Sequence, residues 1–382
     1  VTPHSVLDRA RLRIFAAMPS KPIDTIAYVF PQRFHFVAKD IEALRQVVMV
    51  AEHRFSSGPA WCLPWDYLRQ LFFLLRQRAR GVRHVYAHFA GHHTVLPTAL
   101  GFRTYIIIAG SDACSFPGIN YGSFRKPLMR KAMAYSMRRA VRLLPVHRSL
   151  SRFRNSFSDF GPIEQGYAQF VPGLHTLSTA IPYGFDFEDW PLSTAQRDPH
   201  AVLCVATGAA PGNAVHFRKG VDLLIATASL LPDHRFTIVG AAQPGAYQDL
   251  PTNMHMIGGC SPSDLRDLFS THGIYAQPSV MEGFPNALCE AMLMGCLPVV
   301  SNITSMPDIV GSEGRVIEER DAAVLATAIR AQSGLSSEDR RTARNAVRER
   351  ILKFTIHARV QGLLAELGAD DRLGRIHNEA DL

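Results

Sequence analysis

Short apolar runs of strand length alternate with longer, helix-length runs through residues 200–301, and no other feature restricts the fold of this chain as much. Residues 201–206, 236–240, 254–257, 274–277 and 297–301 read as strands. Residues 221–231, 263–270 and 285–294 read as helices, the second behind a Ser261-Pro262 start signal. Helices dominate from Asp321 onward. Such alternation predicts a parallel sheet with helices on both faces, and ligands in such sheets bind beyond the carboxyl ends of the strands. The N-terminal half repeats the rhythm, with strands at 25–30, 82–87 and 104–109 and helices at 38–51 and 125–144. Residues 178–196, with Pro182, Gly184 and Pro191, read as a linker. At roughly 150 residues per domain, the 382 residues suit two α/β domains joined there. The polar residues 368–382 read as a tail prone to fray.

Several classes are set aside by what the sequence lacks. No apolar run approaches the ~18 residues that would span a bilayer, and residues 1–4 lack the charged-then-apolar pattern of an export signal. The six cysteines (62, 114, 204, 260, 289 and 296) form no C-x-x-C pair, which argues against structural zinc and a disulfide framework and fits a reducing cytoplasm. His84, His88 and His92 are spaced by four, but residues 84–89 alternate like a strand, so they read as unrelated histidines. Residues 208–220 end in Lys-Gly rather than Gly-Lys-Ser/Thr and are no P-loop.

The segment from Met281 to Gly295 carries the chemistry. A strand ends near Pro278-Ser279, a turn holds Gly283, and Pro285 suits a first helical position. The free N–H groups at such a helix start, with the positive end of its dipole, attract an anion. Gly283 allows close approach to the backbone. Glu290 falls one turn into an otherwise apolar helix, where a carboxylate is costly unless it is hydrogen-bonded. A pair of ribose hydroxyls would satisfy it. Glu282 lies in the turn before the helix.

Glu282 and Glu290, seven residues apart within E-G-F-P-N-A-L-C-E-A-M-L-M-G-C-L-P-V-V-S, closely resemble the E-x7-E signature of retaining GT-B glycosyltransferases, in particular glycosyltransferase family four. Phe217-Arg218-Lys219-Gly220 resembles the family's basic phosphate-binding segment, and the likeness runs continuously over about 200–312. More weakly, Ala109-Gly110-Ser111-Asp112 resembles an H-G-x-D loop, with Ala109 where a His is usual. Tyr86-Ala87-His88-Phe89 is similar to a strand-end His motif, and Ile181–Asp186 to the P-N-G-V-D linker, with Tyr183 for Asn.

The resemblance implies two Rossmann-like domains facing across a cleft: an acceptor domain at 1–190, a donor domain at 191–355 and a crossover helix with tail at 356–382. It implies that Lys219 and Arg218 hold the donor diphosphate and that Glu290 binds the ribose. Glu282 and the backbone of Gly283, Phe284, Pro285 and Asn286 would contact donor sugar and phosphates, while Gly259 and Cys260 would frame the base. His88, His92 and Asp112 become acceptor-side candidates. The implied activity is sugar transfer from a UDP-, GDP- or ADP-sugar to a hydroxyl of a glycan or lipid-linked acceptor, with no metal and no further cofactor. The family's usual setting is cell-surface polysaccharide or glycolipid synthesis in the cytoplasm or at the inner membrane face.

Charge adds a second constraint. Residues 1–190 hold 24 Lys and Arg against 12 Asp and Glu, whereas 191–382 hold 17 against 21. From Arg54 to Arg154 there are 17 basic residues and two acids, Asp66 and Asp112. Trp65, Leu68, Leu71, Phe72 and Leu75 recur at near-helical spacing among Arg69, Arg76, Arg78 and Arg80. Either these residues pack on the sheet with the arginines outward, or they attach the chain to anionic lipid. No nucleic-acid reader motif accompanies the charge. The alternatives to transfer are a nucleotide-sugar epimerase on the same fold and a non-catalytic protein that binds polyanions or membranes.

Overall fold

The computed structural model describes residues 23–55, 58–193 and 195–380; residues 1–4, read above for an export signal, lie outside them. The N-terminal half runs Thr25–Phe30 (β1), His35–Leu44 (α1), Met49–Arg54 (β2), Leu63–Ala79 (α2), His84–His88 (β3), Val95–Ala99 (α3), Arg103–Ile108 (β4), Pro127–Arg139 (α4) and Arg142–Pro145 (β5). These strands form one parallel sheet in the order β2-β1-β3-β4-β5. A two-stranded antiparallel ribbon, Phe153–Arg154 (β6) with Glu164–Gln165 (β7), and a short helix, Tyr167–Phe170 (α5), follow.

The C-terminal half runs Asp198–Ala209 (β8), Ala214–Arg218 (α6), Val221–Leu230 (α7), Arg235–Ala241 (β9), Met254–Ile257 (β10), Pro262–Thr271 (α8), His272–Gln277 (β11), Asn286–Leu293 (α9), Leu297–Ser301 (β12), Met306–Val310 (α10), Arg315–Ile317 (β13), Ala322–Ser333 (α11), Ser337–Ile351 (α12) and Ile356–Ala380 (α13). Its sheet is parallel in the order β10-β9-β8-β11-β12-β13. The inner strands are closed to solvent along their length: β3, β11 and β12 have every residue buried, as a sheet covered on both faces requires.

Three expected helices change. The helix placed at 38–51 is two elements. Its first part ends at Leu44, and Met49–Arg54 pairs with β1 in register Thr25↔Met49, since the run Val47-Val48-Met49-Val50 suits an extended edge strand. The helix placed at 125–144 starts only at Pro127, because a residue before proline avoids the α region; Lys126 is extended at ψ 113°. It ends at Arg139, and Arg142–Pro145 joins the sheet beside β4. Pro285 is the cap of α9 rather than its first residue, at ψ 106°. The tail read at 368–382 continues α13 as helix to Ala380.

The helix α13 crosses back to the N-terminal sheet. Arg359, fully buried on it, pairs with Asp40 of α1 through Nη2–Oδ2 at 2.7 Å and Nε–Oδ1 at 3.2 Å, and donates a further hydrogen bond to the Ile181 carbonyl. Tyr86 of β3 donates to the Leu363 carbonyl at 2.5 Å, and Arg142 pairs with Glu366 at 2.8 Å. A buried ion pair gains little over an apolar pair, but removing one member strands the other charge. Arg359→Ala should therefore cost about 3–5 kcal/mol in urea unfolding, and the joint Asp40→Leu/Arg359→Met change much less.

Candidate active site

The strand order reverses at β1/β3 in the first sheet and at β8/β11 in the second, and the loop after β11 meets the loop after β4, the neighbour of β3. On one side, β11 ends at Gln277 and the chain turns through Ser279 and Glu282 into α9. On the other, β4 ends at Ile108 and turns through Ala109 and Gly110. The two loops touch. A methyl group on Gly283 would overlap the Ala109 carbonyl oxygen, so no larger residue fits at that position.

Lys219 is brought into this turn by a second glycine. It follows α6, and the next residue, Gly220, takes φ 70°, with the Pro278 carbonyl where a Cβ would stand. Val280 N–H donates to the Arg218 carbonyl at 2.8 Å, tying the end of α6 to the loop after β11. Consequently Glu282 Oε1 accepts three side-chain hydrogen bonds, from Lys219 Nζ at 2.7 Å, Ser279 Oγ at 2.9 Å and Arg218 Nη1 at 3.3 Å. Burial alone would raise the Glu282 pKa, but the two cations and the hydrogen bonds from Lys219 and Ser279 outweigh it and hold the carboxyl below the usual glutamate range. The cluster keeps a net positive charge, two cations to one carboxylate. The Arg218 guanidinium also lies 5.0 Å over the ring of Tyr121, from the N-terminal half. Thr304, at φ 47°, donates to the Glu282 carbonyl at 2.6 Å.

Glu290 sits on the apolar side of α9 and is 7% exposed. No described residue hydrogen-bonds to its carboxylate. Burial pushes its pKa up to about 7, with Lys39 lowering it and Asp189 raising it by lesser amounts. Asn286 Oδ1, in the first turn of α9, is also buried without a partner among the described residues. The site thus holds two glutamates shifted in opposite directions, Glu282 held charged by its cations and Glu290 pushed up by burial without a hydrogen-bond donor.

The remaining sequence-derived candidates divide. Gly259 and Cys260 follow β10 at the same end of the sheet, the first exposed and the second partly so. Phe284 is turned inward, its ring against Phe354 at 5.1 Å and Tyr183 at 6.5 Å, so only its backbone remains for a ligand. His88 is fully buried, with Tyr28 Oη 2.9 Å from Nδ1 and Tyr183 Oη 2.9 Å from Nε2. Asp112 is fully buried as well. Its Oδ2 accepts from Ala90 N–H at 2.9 Å and its Oδ1 from the amides of Ala109 and Gly110 at 3.0 Å each. Burial raises the Asp112 pKa to about 6 against these amides. His88 and Asp112 thus lie buried in the N-terminal half with their polar atoms engaged by protein groups. His92 is partly exposed, with Tyr67 Oη 3.4 Å from Nδ1. Neither Tyr121 nor Thr304 stood out in the sequence, since each meets its partner across a long separation and outside any motif. His84 and His88 lie on β3 and His92 beyond its end, so the three share no helix face.

Residues 206–332 match the family model for glycosyl transferases group 1. A 73-residue stretch is 34% identical to O-antigen chain mannosyltransferase B of Escherichia coli, spanning 19% of this chain and 19% of that relative. Among solved structures, sucrose-phosphate synthase from Thermosynechococcus elongatus superposes with a TM-score of 0.67 at 14% identity, over 94% of this chain and 99% of that one. The Anabaena protein Alr3699/HepE in complex with UDP superposes with a TM-score of 0.65 at 15% identity, over 90% and 100% of the two chains. A glycosyltransferase from Rickettsia africae gives 0.63 at 14% identity, over 89% and 97%. The chain has the GT-B fold, and carries a glycosyl transferases group 1 domain at residues 206–332.

The Glu290 carboxyl has a folded-state pKa above its ordinary value of 4.5. Between 4.5 and about 7 the folded chain holds this proton and the unfolded chain has lost it, so stability falls as pH rises through that window. Glu290→Gln should remove that part of the slope. Urea melts of both proteins across the window measure it, and parallel curves would contradict the assignment.

Proposed function

We propose that this chain is a retaining glycosyltransferase that moves a hexosyl group from a nucleotide-diphosphate sugar to a hydroxyl acceptor. The observation that carries the reading is the Lys219–Arg218–Glu282 cluster at the mouth of α9, one turn before a buried carboxylate with no protein partner among the described residues. In this reading residues 191–355 form the donor domain, 1–190 the acceptor domain, and 356–382 the crossover helix and tail. Glu290 accepts hydroxyl hydrogens of the ribose, which favours its charged form. Lys219, Arg218 and the free amides at the start of α9 face the diphosphate. Glu282 and the backbone of Gly283 to Asn286 contact the sugar, and Gly259 and Cys260 border the base.

The reaction breaks the bond between the anomeric carbon and the phosphate oxygen and forms one to the acceptor oxygen on the same face. The acceptor proton passes to the departing phosphate oxygen. Charge then grows on the diphosphate, where fixed cations and amides stabilise it without reorganising. A His at position 109 is not needed for this route. His92, partly exposed just beyond the end of β3, is the acceptor-side candidate left open to a ligand in this reading. UDP-, GDP- and ADP-sugars are the donor candidates, and the relative named for an O-antigen chain supports a cell-surface polysaccharide or glycolipid as product. The basic N-terminal half would then meet the anionic inner face of a membrane carrying a lipid-linked acceptor.

A thermal-shift screen with UDP, GDP, ADP and their sugars should identify one nucleotide that stabilises the chain. With that donor, Lys219→Ala and Glu290→Ala should each lower kcat/KM by about a hundredfold or more. Wild-type turnover in either variant would overturn the site assignment. Interconversion of the free donor without an acceptor would indicate an epimerase instead.

A further inference from the structure

The helix α2 buries three of its polar residues and leaves several of its large apolar residues exposed. Asp66, Gln70, Leu74 and Gln77 form the buried face, where Gln70 Nε2 donates to the His93 carbonyl at 2.7 Å. Trp65, Leu68, Phe72 and Leu75 are exposed, with Trp61 just ahead of the helix; Trp61 is 81% accessible, Phe72 65% and Trp65 63%. Their spacing of four, three, four and three residues puts them on one stripe of the helix. Arg69, Arg76 and Arg80 run along one side of that stripe and Arg78 along the other, all exposed. No described part of the chain covers the stripe.

Charge decides what such a stripe would meet. The two carboxylates between Arg54 and Arg154, Asp66 and Asp112, are both buried, so among the described residues this stretch shows cations and no anion. On the same helical layer, the start of α4 adds exposed Lys126, Leu128, Arg130 and Lys131. Two copies meeting through this face would bring like charges together. A soluble polyanion would leave the tryptophans and Phe72 in water. An anionic bilayer surface matches both halves of the pattern, with aromatic and leucine side chains entering the acyl boundary and arginines at the headgroups.

We propose that α2, with Trp61 ahead of it, is an interfacial helix that lies on an anionic bilayer and sets the cleft over it. This rests on the reading of the N-terminal half as the membrane-facing side and gives that contact a specific element. The helix follows β2, so its aromatic start is at the carboxyl end of the sheet, and Tyr67 on it reaches His92 just beyond the carboxyl end of β3. A hydroxyl carried on a lipid would thus rise from the bilayer beside the loops that hold the candidate site.

The test is flotation with phosphatidylcholine vesicles containing about a third phosphatidylglycerol, and with phosphatidylcholine alone. Trp61 and Trp65 are two of the three tryptophans, and Trp190 is buried, so emission reports on this helix. The full chain should float with the anionic vesicles, shift its emission to the blue, and bind phosphatidylcholine at least about tenfold more weakly. Trp65→Ser/Phe72→Ser and Arg69→Glu/Arg76→Glu should each lose at least about tenfold in binding, with unchanged melting temperature and unchanged stabilisation by nucleotide. Failure of the wild-type chain to float, or variants that float as well as wild type, would overturn the proposal. So would a Trp65→Ser/Phe72→Ser change that dissociates a dimer and leaves flotation unaltered. None of these outcomes bears on sugar transfer, which the nucleotide screen and the Lys219 and Glu290 variants test separately.

Discussion

One carboxylate oxygen, Glu282 Oε1, organises this structure. It is buried where three chain segments meet, and it accepts hydrogen bonds from Lys219, Arg218 and Ser279. A charge in that position is stable only with those donors present, so the end of α6, the exit of β11 and the start of α9 are locked in one arrangement. Two glycines make the approach possible. Gly220 lets the backbone bend beneath Pro278, and Gly283 lets the loop press against Ala109 of the opposite sheet. The pairing that builds the turn also sets two cations around a single carboxylate, the net positive charge that the proposed diphosphate site calls for.

A second chain of contacts carries that turn to the other half of the molecule. Phe284, next to Gly283, packs on Phe354 and Tyr183. Tyr183 in turn is hydrogen-bonded to His88, and His88 to Tyr28, which reaches Asp40 and through it Arg359 on α13. His88 is therefore a positioning residue. Both its nitrogens are engaged, and burial holds its pKa well below the ordinary histidine value, so it stays neutral. The linker, the crossover helix and the loop before α9 are parts of one buried network, and the relative placement of the sheets depends on it.

What could be read from the sequence divides along physical lines. Strands buried on both faces, such as Leu297–Ser301, announce themselves as apolar runs and were legible to within a residue or two. The edge strand Met49–Arg54 was not, because its outer residues Glu52, His53 and Arg54 show no strand period and follow a helix without a glycine or proline. The same ambiguity merged α4 with β5. At the site, Glu282 and Glu290 stood out by spacing, yet the contact between Glu282 and Lys219 joins residues 63 apart and follows from the fold alone. The stripe on α2 shows the limit most clearly. Periodicity says which residues share a helix face, but only the burial of Asp66, Gln70 and Gln77 shows which face looks outward.

The proposed reaction makes a stereochemical demand that needs no knowledge of the acceptor. Water serves as a slow acceptor for an activated sugar, and the anomer released first records the face on which the bond forms. Proton NMR of the donor incubated with enzyme, followed faster than mutarotation, distinguishes the outcomes. An α-linked donor should release the α-anomer first and require Lys219 and Glu290 to do so. Release of the β-anomer first would contradict same-face transfer at this site.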